Sequence, residues 1–489
     1  MFEAPDVNLY VLAPFIIVAG WGILLMIIDL FVSDERKTWA TGLTVVGMVI
    51  AFIVTVTQWN NGGTTFATDG HPMVVVDNFA VFINGILLLT GIFTILVSTH
   101  FLRDNKLERP EFYMLMLFSL SGMMLMGMAN DLILIFIALE LLSIPLYIMS
   151  GFAWPREDSE ESAMKYFLLG AFSSAIFVFG IALTYGATGT TSLPLIVESV
   201  SSESMLAVAS MAFILVGLAF KVAAAPFHMW TPDVYEGAPT ATTAFMSVGA
   251  KVAGFAALLR IFLIAFPHMG DGWIGAMAIL ATLTLIVGNV VAISQKNIKR
   301  LLAYSSIAHA GYILIALAAA LNSEDGVSSV LFYLFVYLFS NLGAFAIVMA
   351  LEKKQGEGVL LDDYKGMFKR SPGWAIALAI FLLSLAGVPP TAGFVAKFYI
   401  FRAAVDAGLV WLAIVGVITA VVSTYYYLRI IYFMFMFEGD AQITAHAAVK
   451  WGVAIMVIVT LWVGLMPNTL FEITQQAVLP TVIQMLAGG

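Results

Sequence analysis

Ionisable side chains inside long apolar runs are the residues of this sequence with chemistry to offer. Glu140 stands in "IFIALELLSIPLY", Lys165 in "ESAMKYFLLG", Lys221 in "GLAFKVAAAPFHMW", Lys251 in "MSVGAKVAGF" and Lys397 in "AGFVAKFYIF". A charge at the centre of a membrane helix costs roughly 2.5–3.5 kcal/mol on insertion scales, so such residues are retained for a reason. Glu140 and Lys251 each lie about ten residues from either end of their runs, about 15 Å deep at about 1.5 Å per residue. Neither can reach the headgroups. Lys165 lies only about one turn inside its run, so a buried stem with the amine at the interface is open for it. Arg260, Arg402 and Arg429, near the ends of their runs, are expected to be interfacial anchors.

Lysine suits one task in such a place. It is charged in water, burial or a second cation weakens its hold on the proton, and an approaching carboxylate restores it. A row of lysines can therefore take up and release protons as neighbouring charges change, whereas arginine stays protonated. The simpler alternative is a structural ion pair between Glu140 and one lysine, which explains one acid and one base and leaves the other lysines unanswered. Polar neighbours extend the row. Thr243, Ser247 and Lys251 are spaced four apart on one helix face, Ser305 and His309 share another, and Ser143 lies one turn from Glu140. His228, just past Pro226, is a further candidate, although a packed histidine or a hydroxyl bonded to its own helix is the bland reading of each of these alone. The methionines of "MLMLFSLSGMMLMGM" have no Cys or His beside them and read as adaptable packing rather than a copper site.

The elements that must hold these groups are membrane helices. The chain has 489 residues, of which 61% are hydrophobic and 11% charged, far from the balance of a soluble domain. The absence of cysteine excludes disulfides, cysteine-ligated iron–sulfur clusters and zinc-thiolate sites. The histidines (71, 100, 228, 268, 309 and 446) show no metal-ligand spacing, and no P-loop is present. "GATGTTS" at 186–192 reads as a turn, and a net charge of -9 without a basic stripe argues against nucleic acid. The first apolar run has neither a basic n-region nor a cleavage site and is expected to be a retained helix. Apolar runs of about 20 residues predict about fourteen spans in an all-α polytopic membrane protein. Arg36, Lys37, Arg103, Lys106, Arg109, Arg156, Lys296, Lys299, Arg300, Lys353, Lys354, Lys365, Lys369, Arg370 and Lys450 then fall on one face. Asp69, Asp77, Glu198, Glu203, Asp271, Glu324 and Asp325 fall on the other, which predicts cytoplasmic basic loops and both termini outside.

Two spans carry breaks: Pro226 follows Lys221, and Pro389, Pro390 and Gly393 precede Lys397. Breaks at matching positions point to two inverted five-helix repeats. The expected organisation is an N-terminal three-helix segment (1–110), a first repeat of helices 4–8 (111–266), a second of helices 9–13 (267–436), and a C-terminal helix and tail (437–489).

"LELLSIPLY", "GLAFKVAAAPFHMWTPDVYEGAPT", "SQKNIKRLLAYSSIAHAGY" and "LAGVPPTAGFVAKFY" resemble the antiporter-like subunits of respiratory complex I over about residues 110 to 435. The N type, the counterpart of mitochondrial NADH dehydrogenase subunit 2, fits through the lysine at 397, where other types often carry glutamate. The larger types carry a long lateral helix after the fourteenth span, which is not expected here, and the first three spans are expected to be intact, unlike those of the shortened animal form. The resemblance implies a proton-pumping membrane-arm subunit of NADH:quinone oxidoreductase in a bacterial cell (inner) membrane. It maps the family's functional groups onto Glu140, Lys165, Lys221, Lys251, His309 and Lys397. It further implies that Glu140 pairs with Lys165 until a neighbouring subunit perturbs the pair, after which a proton passes from Lys221 through Lys251 and His309 to Lys397. No cofactor is expected in this chain; NADH, FMN, iron–sulfur clusters and quinone would belong to partner subunits. The rival readings are a subunit of a multi-subunit cation/proton antiporter or membrane-bound hydrogenase, and a structural arm subunit that pumps nothing.

Overall fold

The computed structural model describes residues 7–32, 39–68, 70–201, 204–352 and 356–480. Arg36, Lys37, Asp69, Glu203, Lys353, Lys354 and both termini, which enter the loop-charge reading, lie outside the described residues.

The described chain is helical almost throughout, as its apolar composition requires of a backbone with no water to bond. It opens with α1 (Leu9–Asp29) and α2 (Trp39–Thr57), followed by a hairpin of β1 (Gly63–Thr68) and β2 (His71–Val76). Then come α3 (Asn78–Asp104), α4 (Pro110–Met128), α5 (Leu132–Ser150), α6 (Glu157–Thr188) and the short α7 (Leu193–Ser199). The next run is α8 (Met205–Lys221), α9 (Trp230–Gly237) and α10 (Thr240–Arg260), extended by a π-helical turn over Ile261–Ala265. The second half holds α11 (Gly270–Ile293), α12 (Ile298–Ala319), α13 (Gly326–Leu351) and α14 (Met367–Arg370). It ends with α15 (Pro372–Ala386), α16 (Ala392–Asp406), α17 (Val410–Met436), α18 (Ala447–Leu465) and α19 (Pro467–Gln476).

Among the described residues, twelve helices are long and apolar enough to cross a membrane. The two breaks expected from proline are present: α8 and α15 are apolar but shorter, and each is followed after a turn by a second helix, α9 and α16. The hairpin was not expected. Its strands pair antiparallel around Gly70, whose φ of 82° is the left-handed turn geometry glycine supplies. It is pinned to the α4–α5 link by Asn130, whose backbone N–H donates to Met73 at 2.8 Å.

The helices form a dense interior surrounded by an outer layer. The most apolar stretch of α10 is buried over its whole length, and α12 and α13 nearly so at 94% and 89%, whereas α1, α2 and α18 bury only a third. The outer helices present apolar side chains to lipid, and α10, α12 and α13 present theirs to protein. Lys251 and His309 lie on these inner helices, so neither faces the bilayer.

Candidate functional site

Each break exposes backbone groups, and local polar atoms satisfy them. At the first, Ala223 adopts φ 60°, the α8 carbonyl of Phe220 accepts from the Trp230 indole at 3.0 Å, and Ala225 N–H donates to Thr284 on α11 at 2.9 Å. At the second, Gly387 turns the chain at φ 85° and Gly393 N–H donates to the Ser384 hydroxyl at 3.1 Å. The carbonyls freed at the end of α15 are taken by Lys397 itself, whose amine donates to Leu385 at 3.0 Å and Ala386 at 2.8 Å. The lysine therefore sits at the end of the half-helix before one break, and reaches back to the break from the half-helix after the other.

Lys221, 4% exposed, donates to the Ser143 hydroxyl of α5 at 2.7 Å and lies 3.4 Å from the Tyr147 hydroxyl. Lys251, 2% exposed, donates to the backbone carbonyl of Ser306 and to its hydroxyl at 2.6 Å. Its amine sits 5.0 Å from the centre of the Tyr337 ring. Ser247, one turn before Lys251, accepts from Asn341 at 2.7 Å. His309 is held at both ring nitrogens, by Tyr333 at 2.6 Å and Tyr427 at 3.1 Å, and Tyr427 also contacts Ser305. The fields of Lys251 and Lys397 both act on His309. Lys397 lies 4.5 Å over the Tyr312 ring. Lys251 and Lys397 thus lie near enough to His309 for their charges to act on it, and Lys221 is held by Ser143 and Tyr147 of α5.

The expected Glu140–Lys165 pair is not formed. Lys165 lies at the rim of a polar cleft of about 300 Å³, its side chain 41% exposed, and pairs with Asp233 and Glu161 at 2.7 Å each. Asp233 also holds Arg300 at 2.7 Å, and Arg300 reaches Glu236 at 2.8 Å. Half-buried Glu140 instead accepts from Ser174 at 2.5 Å. Ser174 lies nine residues further along α6 than Lys165, about 13.5 Å at about 1.5 Å per residue, and this height difference separates the two charges. The charge of Glu140 acts on Lys221 and Tyr147. His228 is half-buried in the turn between α8 and α9, apart from the row.

The arginines divide. Arg402 is 54% exposed beside Asp325 and Asp406, and Arg429 donates to the carbonyls of Ile293 and Gln295 at the end of α11, both as anchors would. Arg260 does not. It is 1% exposed, with its guanidinium on Asp77 at 2.8 Å and on the Gly127 carbonyl at 2.6 Å. It is a buried structural tie from α10 to the start of α3 and the end of α4, because its helix is enclosed by protein along its whole length. Lys299, read as a loop cation, is likewise buried and donates to Ala238 at 2.8 Å.

Several site residues were missed in the sequence. Tyr147 and Asp233 lie inside quoted motifs, Ser306 adjoins the chosen Ser305, and Tyr427 belongs to three consecutive tyrosines in an apolar helix. Hydroxyls and a carboxylate in such runs were the available signal.

Uncompensated amines in the interior of a many-helix bundle define a polytopic membrane protein with an ionisable core. The family model described as NADH:quinone oxidoreductase/Mrp antiporter, TM, matches residues 129–423. NADH-quinone oxidoreductase subunit N of Chloroflexus aggregans is 44% identical over 482 residues, covering 97% of this chain and 98% of that one. A chain of respiratory complex I from Thermus thermophilus is 34% identical with a TM-score of 0.80, covering 94% of this chain and 98% of that one. A chain of the Mrp complex from Dietzia shares the fold, with a TM-score of 0.85 at 21% identity over 98% of this chain and 100% of that one. The chain belongs to the family of antiporter-like membrane subunits that includes NADH-quinone oxidoreductase subunit N.

Proposed function

We propose that the chain is a proton-translocating membrane-arm subunit of NADH:quinone oxidoreductase, working beside other membrane-arm subunits, and that its protons pass along Lys221, Lys251, His309 and Lys397. The observation that carries this reading is the company the three lysines keep. Their amines donate to hydroxyls and backbone carbonyls, and among the described residues none has a carboxylate within ion-pair distance. A structural ion pair would fix each charge; a neutral oxygen accepts a proton-bearing amine and tolerates its loss.

Glu140 sets the charge state of Lys221 by its field, and Lys165 in the cleft is the movable charge through which a neighbouring subunit acts. A proton leaving Lys221 raises the positive charge at Lys251, and His309 relays it to Lys397 through a ring held by two tyrosine hydroxyls. His228, half-buried beside the first break, is the remaining candidate of the site. Moving one charge against ~100 mV needs about 2.3 kcal/mol, and the loss of a counter-ion by a buried lysine is worth as much. The sequence has no cysteine, and the described residues hold no cluster of metal ligands. The driving reaction, with NADH, FMN, iron–sulfur clusters and quinone, is assigned to partner subunits.

Among the described residues, twelve long helices and two interrupted pairs support a count of fourteen crossings. In two sets of five (α4 to α10 and α11 to α17, with α7 and α14 outside the count), the interruption falls in the fourth crossing of each, which supports inverted repeats over 111–266 and 267–436. Loop contacts support the orientation in a bacterial inner membrane. Gly356 packs against Arg156, and His100 bonds Thr444, joining basic loops; Gln475 and Arg402 both reach Asp325 on the acidic side.

The test is Lys221→Ala in the whole complex reconstituted in vesicles. Retained assembly with lost NADH-driven proton transport is expected, and normal transport in the assembled variant would sink the proposal.

A further inference from the structure

The proton row begins at Lys221, and the cleft that opens beside the basic loops ends at Lys165, Asp233 and Arg300. Between them stands a wall of aromatic rings. Tyr166 follows Lys165 on α6 and stacks on Trp230 of α9 with centroids 4.5 Å apart and planes 9° from parallel. Tyr147 of α5 meets the Tyr166 ring edge-on at 4.8 Å. Its hydroxyl lies 3.4 Å from the Lys221 amine. Tyr147 is also seated in a notch: a Cβ at Gly170 of α6 would meet its hydroxyl oxygen at 2.1 Å. Behind it, the Tyr166 hydroxyl is fully buried and has no hydrogen-bond partner among the described residues. A buried hydroxyl without a partner costs about 1–3 kcal/mol, so packing alone would favour phenylalanine at 166.

We propose that Tyr147, with Tyr166 behind it, is the gate through which the charged cleft exchanges protons with Lys221. This inference rests on the reading of Lys221 as a member of a proton row and adds its entry. The step balances as a hydroxyl relay once the rings turn: Tyr147 gives its O–H proton to the neutral Lys221 amine and takes one from the Tyr166 hydroxyl, unpartnered in the closed arrangement, which takes one from a water admitted from the cleft and leaves hydroxide there. Both phenols end neutral, and one proton has arrived at Lys221. The rings exclude bulk water, so the path conducts only when the hydroxyls align. Lys165 and Asp233 flank the gate within their own helices, one residue from Tyr166 and three from Trp230, so a change in their pairing moves the stacked rings directly.

Tyr147→Phe and Tyr166→Phe keep the rings and remove only the hydroxyls. In the assembled complex in proteoliposomes, each is expected to slow NADH-driven proton transport roughly ten-fold or more, the scale of losing a proton-transfer group. Tyr166→Phe is the stronger arm, because deleting an unpartnered hydroxyl leaves folding intact or improves it. Wild-type transport in Tyr166→Phe and Tyr147→Phe overturns the gate. Lys221→Ala, measured in parallel, separates the two readings: if it loses transport while both phenylalanine variants keep it, the gate alone falls. If Lys221→Ala transports normally, the row fails and the gate falls with it.

Discussion

Lys221, Lys251 and Lys397 differ from Arg260 in what answers their charge. Arg260 has a carboxylate, Asp77, and a backbone carbonyl in a fixed geometry, and guanidinium does not give up its proton. Its role is cohesion. Arg260→Ala removes one partner of a buried pair and is expected to destabilise the folded subunit by about 3 kcal/mol. Thermal unfolding of the purified complex measures this, and the complexes that survive should pump as well as wild type. Depth along a run was enough in the sequence to pick out Lys251 as a buried group, while Glu140 at similar depth is half-buried. Which helix each would face was not legible. Three-residue spacing aligned Ser143 with Glu140 on α5, but only packing shows that Lys221 takes that serine. Likewise Lys165 and Glu140 lie on adjacent helices, yet at heights that keep them apart, and no periodicity within either helix encodes relative height.

At the scale of elements, the breaks carry the chemistry. Proline and glycine made both readable in advance, since proline cannot continue a helix and hydrocarbon will not satisfy the carbonyl it frees. The partners of those freed groups were not readable, because Thr284 comes from α11 and Ser384 meets Gly393 only through the path of the turn between α15 and α16. Neither was the hairpin, whose short alternating strands were hidden between two strong helical signals. The second break depends on close backbone approach: a Cβ at Gly393 would meet the Ser384 carbonyl oxygen at 1.7 Å, whereas one at Gly373 meets nothing within 4 Å. Gly393→Ala is therefore expected to cost more than about 3 kcal/mol by forcing α15 and α16 apart. The yield of assembled complex in membranes should collapse for Gly393→Ala and stay at the wild-type level for Gly373→Ala.

At the scale of the whole molecule, a dense interior of α10, α12 and α13 carries polar groups that an outer layer of apolar helices shields from lipid. Composition alone foretold a polytopic helical protein, and the long motifs around the lysines foretold the family. The arrangement of the helices into an interior and a shell was not foretold, because inner and outer helices are similarly apolar. Their difference lies in polar residues that the interior must pair. The central claim is that these interior amines carry protons rather than hold helices together, and Lys251 tests it best, since among the described residues its amine meets Ser306 and the face of Tyr337 and no carboxylate. Lys251→Met preserves the length and packing of the side chain and removes its proton. The deciding measurement is NADH-driven proton transport by vesicles containing the whole complex with this substitution. Severely reduced transport in a fully assembled complex is the predicted result, and wild-type proton yield per quinone reduced would contradict the account.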